Sequence, residues 1–218
     1  MEAISRSLPA MDWITLVIFL SLLFLAIAKR FFYSRFLNFM ILPFNNKYIF
    51  MYIKKDRLFN GFQVFFTLFQ LLNLALFIHQ GTAALMQANG NRSPFTYLVI
   101  LGVLLLFSLL KIGVQMGNGF IFNNSRVISE LIFKKLSYLN YSGIVMLLAN
   151  CMLAYISRDS QLVVYVAVFI ILIINVAGWI TLIKNHQKLI TSYFFYFILY
   201  LCALEIAPLV LIVNALTY

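Results

Sequence analysis

Leu162 to Ile183 reads Leu-Val-Val-Tyr-Val-Ala-Val-Phe-Ile-Ile-Leu-Ile-Ile-Asn-Val-Ala-Gly-Trp-Ile-Thr-Leu-Ile, 22 positions without a charge. At a 1.5 Å rise per residue this run makes a helix of about 33 Å, enough to cross the roughly 30 Å hydrocarbon core of a bilayer. Five more stretches share its character: Trp13–Ala28, about Leu58–Ile78, Pro94–Met116, about Ser137–Ile156 and Tyr193–Leu216. The pattern predicts an all-α, polytopic membrane bundle of six transmembrane helices, with residues 1–218 as one integral membrane domain. The first span is the shortest, and Phe31, Phe32 and Tyr33 complete it at the interface. Its basic pair, Lys29-Arg30, follows the apolar run and no small-residue cleavage site comes after, so the segment reads as an anchor and not as a cleaved leader.

Composition agrees. Of 218 residues, 64% are hydrophobic and 10% charged, and the mean hydropathy is +0.98. Soluble domains are about 45–50% apolar and about 25% charged. Folding leaves roughly a third of a chain's surface in contact with solvent at this size, so no water-soluble fold could hide so much apolar area. Disorder is excluded too, because it requires low hydrophobicity.

The formal charge is +10, from 16 Lys+Arg against 6 Asp+Glu, and its distribution carries the information. Lys29, Arg30, Arg35, Lys47, Lys54, Lys55 and Arg57 lie between spans one and two. Arg126, Lys134 and Lys135 lie between spans three and four, and Lys184 and Lys188 between five and six. Only Arg6, Arg92 and Arg158 fall on the other side, and Lys111 is inside a span. Basic residues stay on the cytoplasmic side, so both termini are expected outside, in the periplasm. The short connection Ser157–Gln161 makes spans four and five antiparallel neighbours.

Two cytoplasmic segments have amphipathic character. Residues 31–57 interleave nine aromatic residues with Arg35, Lys47, Lys54, Lys55 and Arg57, while Pro43, Asn45 and Asn46 split the segment into pieces too short to span. Beside a membrane this composition reads as an interfacial segment on anionic headgroups. A docking surface for other envelope membrane proteins is the second reading, and nucleic acid is not expected. In residues 124–136, Val127, Ile128, Leu131, Ile132 and Leu136 recur at helical spacing, with Arg126, Ser129, Glu130, Lys134 and Lys135 opposite. That pattern predicts an interfacial helix leading into span four. Gly113 and Gly117 allow close helix approach, and with Gly119 they suggest a break near the end of span three.

Polar groups at membrane depth are the functional pointers, since each costs free energy unless satisfied. Asn60, Gln63, Thr67, Gln70 and Asn73 cover about 140° of span two at 100° per residue. Interhelical hydrogen bonding and the lining of a polar cavity both explain such a face, and the first is the commoner use. Asn150 and Asn175 are further polar candidates expected inside the bundle. Glu205 is the sharpest single feature, near the middle of span six, with Pro208 three positions on. That proline removes an N–H, frees the carbonyl of Leu204 and kinks the helix. Glu205 could anchor a polar network, bind a proton or cation, or pair with Lys111.

Enzyme signatures are lacking. His79 closes span two outside while His186 is cytoplasmic, so the two cannot share a metal. No His-Glu-x-x-His helix, Gly-x-Ser-x-Gly elbow or Asp cluster for Mg²⁺ occurs. Cys151 and Cys202 sit within spans as small apolar fillers. No catalytic residue, cofactor or metal is expected.

Two stretches carry a family resemblance. One is Tyr193-Phe-Phe-Tyr-Phe-Ile-Leu-Tyr-Leu-Cys-Ala-Leu-Glu205-Ile-Ala-Pro208-Leu, and the other is Phe44-Asn-Asn-Lys-Tyr-Ile-Phe-Met-Tyr-Ile-Lys-Lys ahead of a long apolar span. The chain resembles a family of polytopic inner-membrane proteins from Gram-negative bacteria that is described only as a domain of unknown function. The resemblance implies residence in the bacterial inner membrane and a place beside envelope-assembly or secretion machinery, and it supplies no catalytic residues. The expected role is a non-enzymatic membrane subunit or scaffold. The alternatives are a small transporter or ion-coupled carrier using Glu205, and a lipid-modifying membrane enzyme.

Overall fold

The computed structural model describes residues 12–42, 60–86, 93–121, 125–157 and 160–185. These residues form six α-helices and one π-helical turn, with no strand among them. Five of the helices are long and apolar enough to cross a membrane. The sixth expected span, with Glu205 and Pro208, lies outside the described residues, as do Lys47, Lys54, Lys55 and Arg57. The chain divides into a unit of residues 1–177, which holds the packing described below, and a unit of residues 178–218. Residues 178–185 of the second continue the last helix.

Helix α1 (Asp12–Phe31) carries Lys29 and Arg30 in its last turn, where cations complement the helix dipole. The chain barely pauses before α2 (Tyr33–Met40): Phe32 donates its N–H to the carbonyl of Ala28 at 3.0 Å and accepts from the N–H of Phe36 at 2.9 Å. Helix α3 (Gly61–Met86) runs past the expected end at Ile78. His79 therefore does not close the span. It is buried within the helix, with Trp13 edge-on to its ring at 5.2 Å. The extra turns have something to pack on, since Ala84 is buried against the start of the last helix and a Cβ at Gly81 would stand 3.7 Å from Val164.

Helix α4 (Pro94–Ile121) starts as its sequence directs. Ser93 accepts from the N–H of Phe95 at 3.2 Å through Oγ, and Pro94 takes the first helical position, where no N–H partner is needed. The expected break near Gly119 is absent, because α4 continues through Gly113, Gly117 and Gly119 to Ile121. Nothing packs within 4 Å of where a Cβ would stand at Gly113 or Gly117, so this glycine pair is not a helix contact among the described residues.

Helix α5 (Ser125–Cys151) joins the expected interfacial segment and span four without interruption. Ile132, Phe133 and Lys134 are buried, and Phe133 belongs to the same apolar core as Phe62 and Phe66 of α3. Packing on the bundle, and not only the headgroup layer, takes up this amphipathic face. A π-helical turn (Met152–Ile156) follows, closed by the N–H of Ser157 donating to the carbonyl of Met152 at 2.8 Å. The last helix, α6 (Gln161–Asn185), begins after the short connection that the sequence requires.

Helix α3 is the centre of the first unit and packs against α1, α4 and α5. Its apolar window is 56% buried, whereas that of α4 is only 6% buried. The large exposed side chains of α4 are leucine, valine, phenylalanine and methionine, which suits a helix whose outer face meets lipid.

Candidate functional site at the α3–α5 seam

The described polar residues gather where α3 meets α5. Gln63, Gln70 and Asn73 of α3 are buried, and so are Ser137, Asn140, Ser142 and Asn150 of α5. Two hydrogen bonds cross the seam. Asn140 donates from Nδ2 to Oγ1 of Thr67 at 3.2 Å, and Asn150 donates from Nδ2 to the backbone carbonyl of Asn73 at 3.0 Å. Each α3 partner is oriented by its own helix. Thr67 donates to the carbonyl of Gln63 at 2.8 Å, and Asn73 to that of Phe69 at 2.8 Å.

Close approach makes these bonds possible. Between the two asparagines lies Gly143, where a Cβ would stand 3.1 Å from Cα of Gln70 and 3.2 Å from a ring carbon of Phe69. A side chain there would push the helices apart, so the glycine brings the polar groups into reach. Several polar atoms still remain buried without a hydrogen-bond partner among the described residues: both ends of the Gln63 amide and the Oδ1 atoms of Asn73, Asn140 and Asn150. These amides face an environment with little to offer them, and such groups call for a reason in a native fold.

An aromatic cluster flanks the seam. Phe39 of α2 lies 4.5 Å from Phe66 and 5.6 Å from Phe62, centroid to centroid, and 5.7 Å from Tyr141 of α5. Phe62 and Phe66 lie 4.8 Å apart. Phe36 and Phe39 are thus buried on the bundle, while Phe31 and Tyr33 are exposed. The described part of segment 31–57 docks two of its aromatics inside the protein and leaves two for the interface. Arg35, on α2, is half-buried.

The remaining candidates are scattered. Asn175 is half-buried and donates to the carbonyl of Ile171 in its own helix at 2.8 Å. Lys111 of α4 lies 5.7 Å from the ring centroid of Phe107. The charge of Lys135 on α5 is near enough to oppose its own. Lys134 is buried, with the carboxylate of Glu130 near enough to attract it. The described residues contain no group of three or more His, Cys, Asp or Glu that could hold a metal ion.

Asn140 and Gly143 were not singled out by sequence reasoning. One signal was present: at 100° per residue, Asn140, Gly143 and Asn150 fall within about 80° of one helix face. That makes a polar and small stripe in an otherwise apolar span.

No curated protein and no solved structure matches the chain. A family model described as a domain of unknown function, DUF4271, matches residues 14–216. With nearly the whole chain covered, this protein, whose described residues include five helices long and apolar enough to cross a membrane, belongs to the DUF4271 family.

Proposed function

We propose that the chain is a non-enzymatic membrane subunit or scaffold of the bacterial inner membrane, serving cell-envelope biogenesis or secretion, with both termini in the periplasm. The observation that carries the reading is the use made of the polar groups on α3. The Thr67 hydroxyl and the backbone carbonyl of Asn73 accept hydrogen bonds from the side chains of Asn140 and Asn150 on α5, and Gly143 lets the helices close on them. Polar side chains engaged in locking two spans together are the mark of a bundle built to hold its shape. The periplasmic termini follow from twelve basic residues on one side of the spans against three on the other.

The test is extraction of the full chain in several mild detergents, beside a strain lacking it. A stoichiometric membrane partner, together with an envelope defect restored by the intact chain, supports the reading. A chain that purifies alone in every detergent and moves solute in proteoliposomes overturns it.

One observation favours a second reading, an ion-coupled carrier. The unpartnered oxygens of Gln63, Asn73, Asn140 and Asn150 occur along a single seam, and amide oxygens of this kind can coordinate a cation. Cation-dependent transport lost in Asn140→Leu, with the fold intact, would favour the carrier over the scaffold.

A further inference from the structure

We propose that the α3–α5 seam binds internal water at two levels, one at Asn73 and Asn150 and the other at Gln63 and Asn140, separated from each other at Gly143. Asn73, Asn140 and Asn150 are at most 1% exposed and Gln63 is 3% exposed. Among the described residues no donor reaches Oδ1 of any of the three asparagines, and neither end of the Gln63 amide has a partner. The residues of each level are already linked. Asn150 donates to the backbone carbonyl of Asn73 at 3.0 Å. Asn140 donates to Thr67, which in turn donates to the carbonyl of Gln63.

What the seam needs is donors, and the protein has committed its own. Nδ2 of Asn73 and Nδ2 of Asn150 each face a backbone carbonyl. Nδ2 of Asn140 faces the hydroxyl oxygen of Thr67, whose proton goes to Gln63. Turning any of these amides over would set oxygen against oxygen, so each Oδ1 is fixed as an acceptor. The neighbouring hydroxyls of Ser137 and Ser142 donate within α5, to Phe133 and Leu139, and backbone N–H groups are taken up by the helical ladders. Water supplies what is missing. At the first level it has one proton for each Oδ1. At the second it donates to the oxygens of Gln63 and Asn140 and accepts from Nε2 of Gln63, about three bonds, as is usual for an internal water.

A cation would also suit acceptors, but charge decides against it. Helix α3 has no Asp or Glu, and α5 has only Glu130, ten residues before Asn140. An ion held at this depth by neutral oxygens alone loses more hydration than it recovers, whereas water brings no net charge. Gly143 separates the two levels, three residues after Asn140 and seven before Asn150. A Cβ there would stand 3.1 Å from Cα of Gln70, an approach too close to admit water between the helices. The seam is therefore hydrated at two points without carrying a continuous file of water, whatever role the chain has in the envelope.

The experiment is solid-state NMR of the isotope-labelled full chain in lipid bilayers, reading magnetisation passed from water to side chains at short mixing times. In the unaltered chain the amides of Gln63, Asn73, Asn140 and Asn150 should receive it, and the methyl groups of Leu76, fully buried on α3, should not. Asn150→Leu should abolish the transfer to Asn73 and leave that to Gln63 and Asn140. Asn140→Leu should abolish the transfer to Gln63 and leave that to Asn73 and Asn150. Replacing sodium and potassium by choline should shift none of these signals. Amides that receive no more than Leu76 overturn the proposal, and that result depends on no variant folding. Amide signals that move with sodium or potassium overturn it in favour of a bound cation. Loss at both levels from either single substitution overturns the separation at Gly143.

Discussion

Asn150 of α5 donates a hydrogen bond at 3.0 Å to the backbone carbonyl of Asn73 on α3, while Asn73 turns its own amide back to Phe69 at 2.8 Å. One asparagine therefore ties two spans together and the other is held in place by its own helix. The carbonyl of Asn73 already belongs to the helical ladder, so Asn150 adds a second donor to it. Asn150→Ala should lower stability by about 0.6 kcal/mol, and by no more than about 1.7 kcal/mol, the range of interhelical bonds in membranes. Asn140→Ala removes the bond to Thr67 and should cost a similar amount. Ten residues separate the two along α5, roughly 15 Å, so the double variant should be additive within about 0.5 kcal/mol. Unfolding of the detergent-solubilised chain by a denaturing detergent measures all three.

Gly143 should be far more sensitive than either asparagine. A methyl group there meets backbone Cα of Gln70 at 3.1 Å, and a backbone atom cannot swing away as a side-chain tip can. Gly143→Ala should cost about 1–3 kcal/mol through overpacking, and Gly143→Leu should cost more and separate the seam. Gly113→Ala is the control, because among the described residues nothing outside its own helix lies within 4 Å of where its Cβ would stand. It should be neutral or stabilising by up to about 1 kcal/mol, since alanine has less freedom to lose than glycine. Thermal melts of the three variants check the contrast, and equal losses at positions 113 and 143 would refute it.

Phe39 tests whether α2 belongs to the bundle or to the headgroup layer. Its ring is fully buried among Phe62, Phe66 and Tyr141. Phe39→Ala should cost about 3–5 kcal/mol, as for other buried phenylalanines, and should expose α2 to added protease. Phe31→Ala, at a position that is 74% exposed, should do neither. If the two substitutions have the same effect, α2 is held by lipid and not by the protein.

Much of the fold was legible in the residues themselves. The charge-free run at 162–183 and the apolar run from Pro94 needed no partner to be recognised, because crossing hydrocarbon demands length and apolarity from the helix alone. Where the reading departed, the missing information was contact between helices. Residues 124–136 read as an interfacial helix leading into span four because Lys134 and Lys135 share a charged face opposite Val127, Ile128, Leu131, Ile132 and Leu136. Helix α5 instead runs through both lysines without a break and places Phe133 in the same core as Phe62 and Phe66 of α3, partners that no local pattern reveals. Gly113 and Gly117 have the spacing of a packing motif yet meet none of the other described helices, whereas the single Gly143 lies where a Cβ would stand 3.1 Å from the backbone of α3. A small residue marks where two helices can meet, and only the arrangement of the whole bundle decides where they do. The same limit applies to Asn140, whose importance comes from Thr67 on another helix.

Orientation is the last expected outcome, and it rests on charge alone. Placing twelve of the basic residues on one side leaves Arg6, Arg92 and Arg158 on the other, an imbalance that sets which loops remain in the cytoplasm. A reporter that is active only in the periplasm should therefore work when inserted between α3 and α4 or after Tyr218. It should fail between α4 and α5, just before Arg126 in the first turn of α5. Replacing Lys29, Arg30 and Arg35 by glutamine should weaken the bias without inverting it, because nine basic residues still hold the same side. Periplasmic activity from the α4–α5 insertion, with silence after Tyr218, would reverse the assignment.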